Sequence, residues 1–404
     1  MKKIMIMALM VLGTTCAFAG DSEVLKAIKK AKDFTEAQNL VMNTLGQLAN
    51  DAEKATAYNK LVDLAIDKYN KESEKIIFNQ SAAQLGQQEK PVDQVGMNEA
   101  AYNAVMAAIE CDKYDQMPNE KGKVAPKFNE KNAQRVWPAY MQLANAGQDA
   151  MNEEKKDLGK KYWGLFVDGD QAPLFSACDR SIQKQYIGQV ARFVAWYAYQ
   201  DKEMDKALKY CDIAAKDPEE AQAALNLKLE ILGAELTTHE DSVKFLDNVK
   251  ALHEQYPDNA SILEKVYNMY MGMGQKAAAL SFIDDILSKN PNSFVALANK
   301  GMYYMDQDNA SEATKWLKKA IDAKEDNAVV HYYYAVCRRA EAQAYAEADP
   351  AKFKSMMEEA IQHFDRTKEL DPNKNIPWGY NRYSAYSQLY GEDDARTKAA
   401  ESDQ

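Results

Sequence analysis

The feature that most constrains the fold is a pattern that repeats every 34 residues between positions 257 and 327. Two prolines, Pro257 and Pro291, stand at this spacing. The matched apolar pairs are Leu263 with Leu297, Tyr270 with Tyr304, Ala279 with Ala313, and Ile283 with Leu317. A period of this length is typical of stacked supersecondary units, each too small to bury its own apolar face. We therefore expect neighbouring units to share one continuous core.

Each unit has the pattern of two short helices. In the first, Gly274 ends one helix, and Ala279 and Ile283 face inward from the next, which stops before Pro291. No stretch of the chain alternates apolar and polar residues as a half-buried strand would. The sequence therefore predicts an all-α protein.

The second unit carries the residues that suggest a family. A large apolar residue, a small residue and a tyrosine lie on its first helix, and an alanine, a large apolar residue and an alanine lie on its second. These are Leu297, Gly301, Tyr304, Ala313, Leu317 and Ala320. The pattern resembles the tetratricopeptide repeat (TPR) family, with Leu297 in place of the usual Trp, Leu317 in place of an aromatic residue and Glu325 in place of the closing Pro. The resemblance implies a right-handed α-solenoid of tandem helix-turn-helix repeats.

The repeat pattern divides the chain into four parts. We expect a signal peptide over 1–19, an irregular helical, degenerate TPR-like region over 20–188, TPR repeats with a C-terminal capping helix over 189–390, and a polar tail over 391–404. The unit that starts at Ala328 is too long for the family's pattern, so 341–353 is predicted either to extend both of its helices or to project as a loop. The role of this insertion and of the N-terminal half is left open.

The first nineteen residues have the form of a secretory signal. Lys2 and Lys3 precede an apolar stretch, and Ala17 and Ala19 supply the small residues of a cleavage site. The apolar stretch is too short for a membrane anchor. We expect a periplasmic or secreted protein. Attachment of lipid to Cys16 is the less favoured alternative, because Gly13 stands where a lipoprotein signal has an aliphatic residue.

The charge balance limits the partners. The formal net charge is −11 and becomes −13 once Lys2 and Lys3 are removed, which argues against nucleic acid. Four cysteines remain, Cys111, Cys178, Cys211 and Cys337, and their spacing does not decide whether they form disulfides. Because Cys211 and Cys337 fall inside predicted helices, we interpret them as buried apolar residues.

Linear motifs for chemistry are lacking. The four histidines have no metal-site spacing, and no phosphate-binding loop, nucleophile elbow or Cys-x-x-Cys pair occurs. We expect no cofactor, metal or catalytic residue.

The resemblance instead implies a concave face lined by the first helix of each repeat. The candidate binding residues on that face are Asn268, Met271, Asn299, Met302, Met305, Tyr332, Tyr333, Arg339 and Tyr383. Some family members clamp a peptide carboxylate with two Asn and three basic residues. Glu264, Val329 and Tyr333 stand at the basic positions here, so that ligand is not predicted. Met and Tyr at the other positions favour an apolar or aromatic segment.

Three functions follow from these observations. The first is a non-enzymatic exported scaffold that binds a protein or peptide through its concave face. The sequence does not predict its oligomeric state. The second is a carbohydrate-binding protein of the bacterial cell envelope, because exposed aromatic rings stack on sugars. The third is an all-helical enzyme with paired carboxylates in the N-terminal half, drawn from the 61 acidic residues of the chain.

Overall fold

The computed structural model describes residues 20–82, 85–119, 121–234, 236 and 238–403. Over these ranges it contains eighteen α-helices, two short 3₁₀ turns and no strand, so the all-α prediction is confirmed. The predicted signal at 1–19 lies outside the described residues. No helix of the described ranges is long and apolar enough to cross a membrane. The chain divides into unit 1, which ends at Ile231, and unit 2, which starts at Leu232.

Unit 1 is built mainly from helix hairpins. The helices are α1 Glu23–Lys30, α2 Phe34–Thr44, α3 Asp51–Ala82, α4 Gln94–Asp115, α5 Asn129–Asn152, α6 Lys156–Asp170, α7 Lys184–Gln200, α8 Met204–Ala214 and α9 Ala221–Gly233, which crosses the boundary between the units. The long helix α3 packs along α4, α5 pairs with α6, and α7 pairs with α8.

Two hairpins of unit 1 close with the same turn. Glu154 follows α5 with φ 60° and Lys202 follows α7 with φ 63°. In each turn the next N–H reaches back to a carbonyl five residues earlier: Lys155 donates to Ala150 and Glu203 donates to Ala198, both at 2.8 Å. This is a standard helix C-terminal closure with one left-handed residue. The irregular half therefore contains helix-turn-helix units even though its sequence shows no regular period.

Unit 2 is a consecutive array of helix pairs. Its helices after α9 are α10 His239–Gln255, α11 Ala260–Gly272, α12 Lys276–Lys289, α13 Phe294–Asp306, α14 Ala310–Ala323, α15 Ala328–Gln343, α16 Pro350–Leu370, α17 Trp378–Tyr390 and α18 Ala395–Glu401. Each packs on the next, and the first helices of successive repeats, α11, α13, α15 and α17, also contact one another in that order. Stacking of this kind is what the repeat pattern predicts.

The 34-residue register reappears in the backbone of the turns. Gly274 and Asp308, 34 residues apart, both have positive φ, 71° and 54°. The N–H groups that follow them bond to Tyr270 O at 2.8 Å and to Tyr304 O at 2.9 Å. The inward-facing residues Ala279 and Ala313 are fully buried. The TPR resemblance is thereby confirmed in helix lengths, turns and core positions.

The last part of unit 2 departs from the regular repeat. Helices α15 and α16 have 16 and 21 residues, against 13 and 14 in the preceding pair, so the insertion at 341–353 lengthens both helices and joins them through a short turn. The segment expected to be a polar tail forms α18, in which Thr397 and Ala400 are buried. Because α18 packs on α17, it belongs to the cap.

The four cysteines within the described ranges are free thiols. Cys111, Cys211 and Cys337 are buried in helices, and burial raises the pKa of each of these three thiols to about 12. A thiol with a raised pKa carries little thiolate at neutral pH and is a poor nucleophile. These cysteines therefore serve as small apolar core residues.

Candidate functional site

The surface formed by α11, α13, α15 and α17 in unit 2 carries all of the candidate binding residues, and we call it the groove face. Asn268 and Met271 lie on α11; Asn299, Met302 and Met305 on α13; Tyr332, Tyr333 and Arg339 on α15; and Tyr383 on α17. Asn268 is exposed, Tyr332 is buried, and the other seven are partly exposed. Because these four helices contact one another in order, residues from distant parts of the sequence lie on neighbouring helices of unit 2.

Arg339 is the most unusual group on this face. Its Nη1 donates to Asn381 O at 3.2 Å and its Nη2 to Asn381 Oδ1 at 3.1 Å, both across to α17. Among the described residues no carboxylate lies within ion-pair distance of it, and burial lowers the pKa of its guanidinium, with Tyr332 and Tyr380 acting in the opposite direction. An arginine has five N–H donors, so a partly buried one with only two neutral acceptors can still bind carbonyl or carboxylate oxygens.

The neighbouring arginine shows the contrast. Arg338 points to the other side of α15, where it forms ion pairs with Glu341 at 2.9 Å and Glu359 at 2.8 Å. These carboxylates raise the pKa of Arg338 against the effect of its own burial. Arg338 is a structural cross-link between α15 and α16, whereas Arg339 has no such partner.

Tyr332 does not offer a free ring to a ligand. It is only 9% exposed and packs in a core cluster with Phe364 of α16, the ring centroids being 6.2 Å apart. Its hydroxyl accepts a bond of 2.8 Å from Asn381 Nδ2. This corrects the expectation that the Tyr332 ring faces the groove: the ring belongs to the core, and the hydroxyl supports the Asn381 side chain that holds Arg339.

Asn299, in the middle of α13, has a buried Nδ2 with no hydrogen-bond partner among the described residues. A buried amide N–H without an acceptor costs about 1–3 kcal/mol. Met302 lies one turn further along the same helix and is partly exposed. Beneath the flexible apolar side chains, α13 therefore contains one amide donor without an acceptor, and this donor is enclosed by protein.

Each of the remaining candidate side chains is partly exposed and partly packed against the core. Met271, Met305, Tyr333 and Tyr383 are partly exposed and also pack against the buried clusters beneath them. Tyr333 meets Tyr332 edge-on, with ring centroids 5.2 Å apart. These side chains are therefore held in position by packing before any ligand binds.

The sequence reasoning missed two residues of α17, Asn381 and Tyr380, the second of which is 66% exposed. When Trp378 is matched to Leu297, the repeat register places Tyr380 at the position of Asn299. The register could therefore have found Tyr380. No linear signal joins Asn381 to Arg339, which stands 42 residues earlier.

Acidic and metal-ligating side chains form few clusters within the described ranges. No group of three or more His, Cys, Asp or Glu side chains could hold a metal ion there. In unit 1 two carboxylates, Asp149 and Glu153, border a cavity. Both are exposed, and Glu153 forms an ion pair with Lys155 at 2.7 Å. A general acid needs a buried carboxyl group, so this pair does not have the environment that an acid–base enzyme requires.

Comparison with known proteins gave these results. No protein-family model matches the chain. A curated relative, "Interferon-induced protein with tetratricopeptide repeats 2" from Mus musculus, is 24% identical over 102 residues, which cover 24% of this chain and 22% of the relative. The chain thus matches less than a quarter of that protein's length.

The chain is also similar, at low identity, to solved structures. A thermophilic TPR protein from Thermus thermophilus is 19% identical, with TM-score 0.32 and coverage of 49% of this chain and 98% of that one. YrrB, described as a TPR protein with an unusual peptide-binding site, is 16% identical, with TM-score 0.30 and coverage of 51% and 95%. A human IFIT1 dimer with m7Gppp-AAAA is 15% identical, with TM-score 0.37 and coverage of 94% and 75%.

Proposed function

Because the helix pairs of unit 2 are tetratricopeptide repeats in register and in packing, we propose that the protein is a non-enzymatic scaffold that binds an extended protein segment along its groove face. A stack of short helices presents a long surface assembled from many side chains. Such a surface suits an extended chain better than a small substrate that must be enclosed.

The observation that carries this proposal is the pairing of Arg339. Its neighbour Arg338 has two carboxylate partners, whereas Arg339 bonds only to the neutral Asn381. A protein segment supplies what Arg339 lacks, since each residue carries a main-chain carbonyl that accepts hydrogen bonds. Hydrogen bonds to a charged donor are stronger than those between neutral groups. Arg339 therefore fixes the position of the bound segment.

The neighbouring side chains set the character of the segment. Met302 and Tyr383 are partly exposed on the same face, and Tyr380 is 66% exposed. Met adapts to differently shaped apolar side chains, and Tyr gives a large contact area at low entropic cost. We infer a segment with apolar or aromatic side chains. The formal charge of −11 favours basic flanks on the partner and opposes a nucleic-acid ligand.

The proposal includes export from the cytoplasm, to the periplasm or beyond. It rests on Lys2 and Lys3, the apolar stretch and the small residues Ala17 and Ala19. Mass spectrometry of the protein purified from cells tests it. We expect a mature chain that starts at Gly20 and is found outside the cytoplasm. A chain that keeps Met1 would contradict export, and a lipid on Cys16 would make the protein a membrane-attached lipoprotein instead.

The binding function is tested by selecting peptides from a random library displayed on phage against the purified protein. We expect enrichment of sequences that share apolar or aromatic residues at fixed spacing, and loss of their binding in Arg339→Ala. If no peptide is enriched while a glycan array gives a signal that Tyr383→Ala abolishes, the carbohydrate-binding alternative replaces this proposal.

A further inference from the structure

A cavity of about 390 Å³ in unit 1 lies among the start of α4, the end of α5 and the start of α6. Binding pockets for small molecules occupy roughly 300–1,000 Å³, so this cavity is large enough for a small ligand. Its side chains divide into a polar set and an apolar set. The residues that matter here are Gln94, Asn98, Asp149, Glu153, Leu158 and Tyr162.

Asn98 is the central polar group. It is only 5% exposed. Its Oδ1 accepts two hydrogen bonds, from Gln94 Nε2 at 3.1 Å and from Gln142 Nε2 at 3.0 Å. Its Nδ2 has no partner among the described residues, although the side chain borders the cavity. Nδ2 is not fully enclosed by protein, so it is open to the cavity and can donate a hydrogen bond to a ligand oxygen there.

The charges around the cavity decide which ligand fits. Glu153 and Lys155 form an ion pair at 2.7 Å and largely cancel. Asp149 has no ion-pair partner in the described ranges, and it lies near the C-terminal end of α5, which carries a partial negative charge. The N-terminal end of α4 also borders the cavity and carries a partial positive charge. This end is already capped, because the Asp93 side chain accepts a hydrogen bond from Gly96 N at 2.9 Å. An anionic ligand is therefore disfavoured.

A cation is disfavoured for a different reason. An ammonium or guanidinium group donates hydrogen bonds but has no acceptor, so it cannot satisfy Asn98 Nδ2. A hydroxyl group both donates and accepts. It can accept from Asn98 and donate to Asp149. Two such polar anchors require a ligand with more than one hydroxyl.

The apolar side of the cavity supports the same choice. Tyr162 is only 4% exposed and offers no free ring face, whereas Leu158 of α6 is partly exposed and Val95 on the rim is 56% exposed. The C–H face of a sugar ring packs against such side chains while its hydroxyls reach the polar groups. The turn backbone does not compete for the ligand, since Lys155 N already donates to Ala150 O at 2.8 Å.

The geometry points to a binding site in unit 1 for a small neutral sugar or related polyol, with Asn98 as hydrogen-bond donor and Asp149 as acceptor. This site lies in a different unit from the groove face and does not depend on the peptide-binding proposal.

Isothermal titration of the full chain with D-glucose, D-galactose, N-acetyl-D-glucosamine and maltose, and with putrescine and acetate as charged probes, tests the site. We expect at least one neutral sugar to bind and the charged probes not to bind. Asp149→Ala should weaken the bound sugar by about fivefold or more. The matched control is Asp157→Ala, an acid at the start of α6 whose side chain is 97% exposed and outside the cavity lining, and it should leave the affinity unchanged.

Asn98→Leu should abolish sugar binding. Because Asn98 is buried, the circular dichroism of the Asn98→Leu variant must first match that of the wild type. If this variant does not fold, the Asp149→Ala result alone decides. Absence of sugar binding in the wild type, equal affinity of wild type and Asp149→Ala, or preferential binding of putrescine or acetate would each overturn the proposal. None of these results bears on peptide binding by unit 2.

Discussion

Gly301 on α13 lies directly against Leu317 on α14, so that a Cβ atom built on the glycine would stand 2.6 Å from Leu317 Cγ and 3.2 Å from the Leu317 backbone nitrogen. The two helices of this repeat approach as closely as a glycine permits. In the repeat pattern, Gly301 is the small residue of the first helix and Leu317 is the large apolar residue of the second. Their contact therefore tests the alignment of the sequence with the repeat.

Replacement of Gly301 tests that contact. Gly301→Ala should lower the free energy of unfolding by about 1–3 kcal/mol, because the added methyl group overpacks the interface, even though alanine favours a helix. Gly272→Ala is the matched control, since a Cβ there meets nothing within 4 Å, and it should be neutral or stabilising by up to about 1 kcal/mol. Equal effects of the two changes in urea unfolding would refute the register.

A second prediction concerns the pair His331 and His363, whose Nδ1 atoms are 2.7 Å apart. His331 Nε2 lies 2.9 Å from Glu325 O, an acceptor, so Nε2 carries the proton and Nδ1 accepts from His363 Nδ1–H. Burial, then the His331 charge, lowers the pKa of His363 from 6.5 to about 4, with Lys318 adding to the effect and Glu359 opposing it. Burial also lowers the pKa of His331.

A histidine with a lowered pKa in the folded state binds protons more strongly when unfolded. Its contribution to stability is therefore complete above about pH 7 and is lost as the pH falls from about 6.5 towards 4. The loss should reach up to about 3 kcal/mol for His363. His363→Phe should flatten this part of the profile of melting temperature against pH, whereas His239→Phe, at an exposed histidine, should not. An unchanged profile in His363→Phe would show that another group governs it.

The third prediction tests the C-terminal cap. Asp403 is 8% exposed and forms ion pairs with Lys368 at 2.9 Å and with Arg382 at 2.7 Å. Asp403→Asn should lower the stability of the protein by about 1–3 kcal/mol, because Arg382 is partly buried and loses one of its acceptors. Asp393→Asn, at a fully exposed partner of Lys398, should change stability by less than about 0.5 kcal/mol. Equal stabilities of the two variants would mean that α18 is not docked.

The repeat itself was accessible from the sequence because each element of it is local. The positions of a turn residue such as Gly274 and of an inward-facing residue such as Ala313 depend only on the geometry of one helix pair. That geometry is the same in each repeat, so it appears in the sequence as a constant spacing. The family's pattern predicts that Tyr332 lies in the groove. The longer α15 and α16 bring Phe364 against its ring, and this contact between two extended helices leaves no trace in the spacing.

The ion-pair partners of the arginines at the candidate site cannot be predicted from the sequence, because they also depend on contacts between helices. Arg338 and Arg339 are adjacent and chemically identical in the sequence. Only the packing of α16 and α17 on α15 decides that the first meets two carboxylates and the second meets a neutral asparagine. The cavity beside Asn98 likewise brings residues of α4 together with residues of α5 and α6 that follow them by some fifty positions or more.

Binding of a protein segment to the groove face through Arg339 is tested by the dissociation constant of a fluorescent peptide enriched in the library selection. The constant is measured by anisotropy for wild type, Arg339→Ala and Arg366→Ala. Arg366 lies on α16, is 40% exposed and is paired with Glu369, so it controls for loss of one positive charge. We predict that Arg339→Ala weakens binding by about tenfold or more while Arg366→Ala stays within about twofold. Equal dissociation constants for the wild type and both variants would contradict the claim.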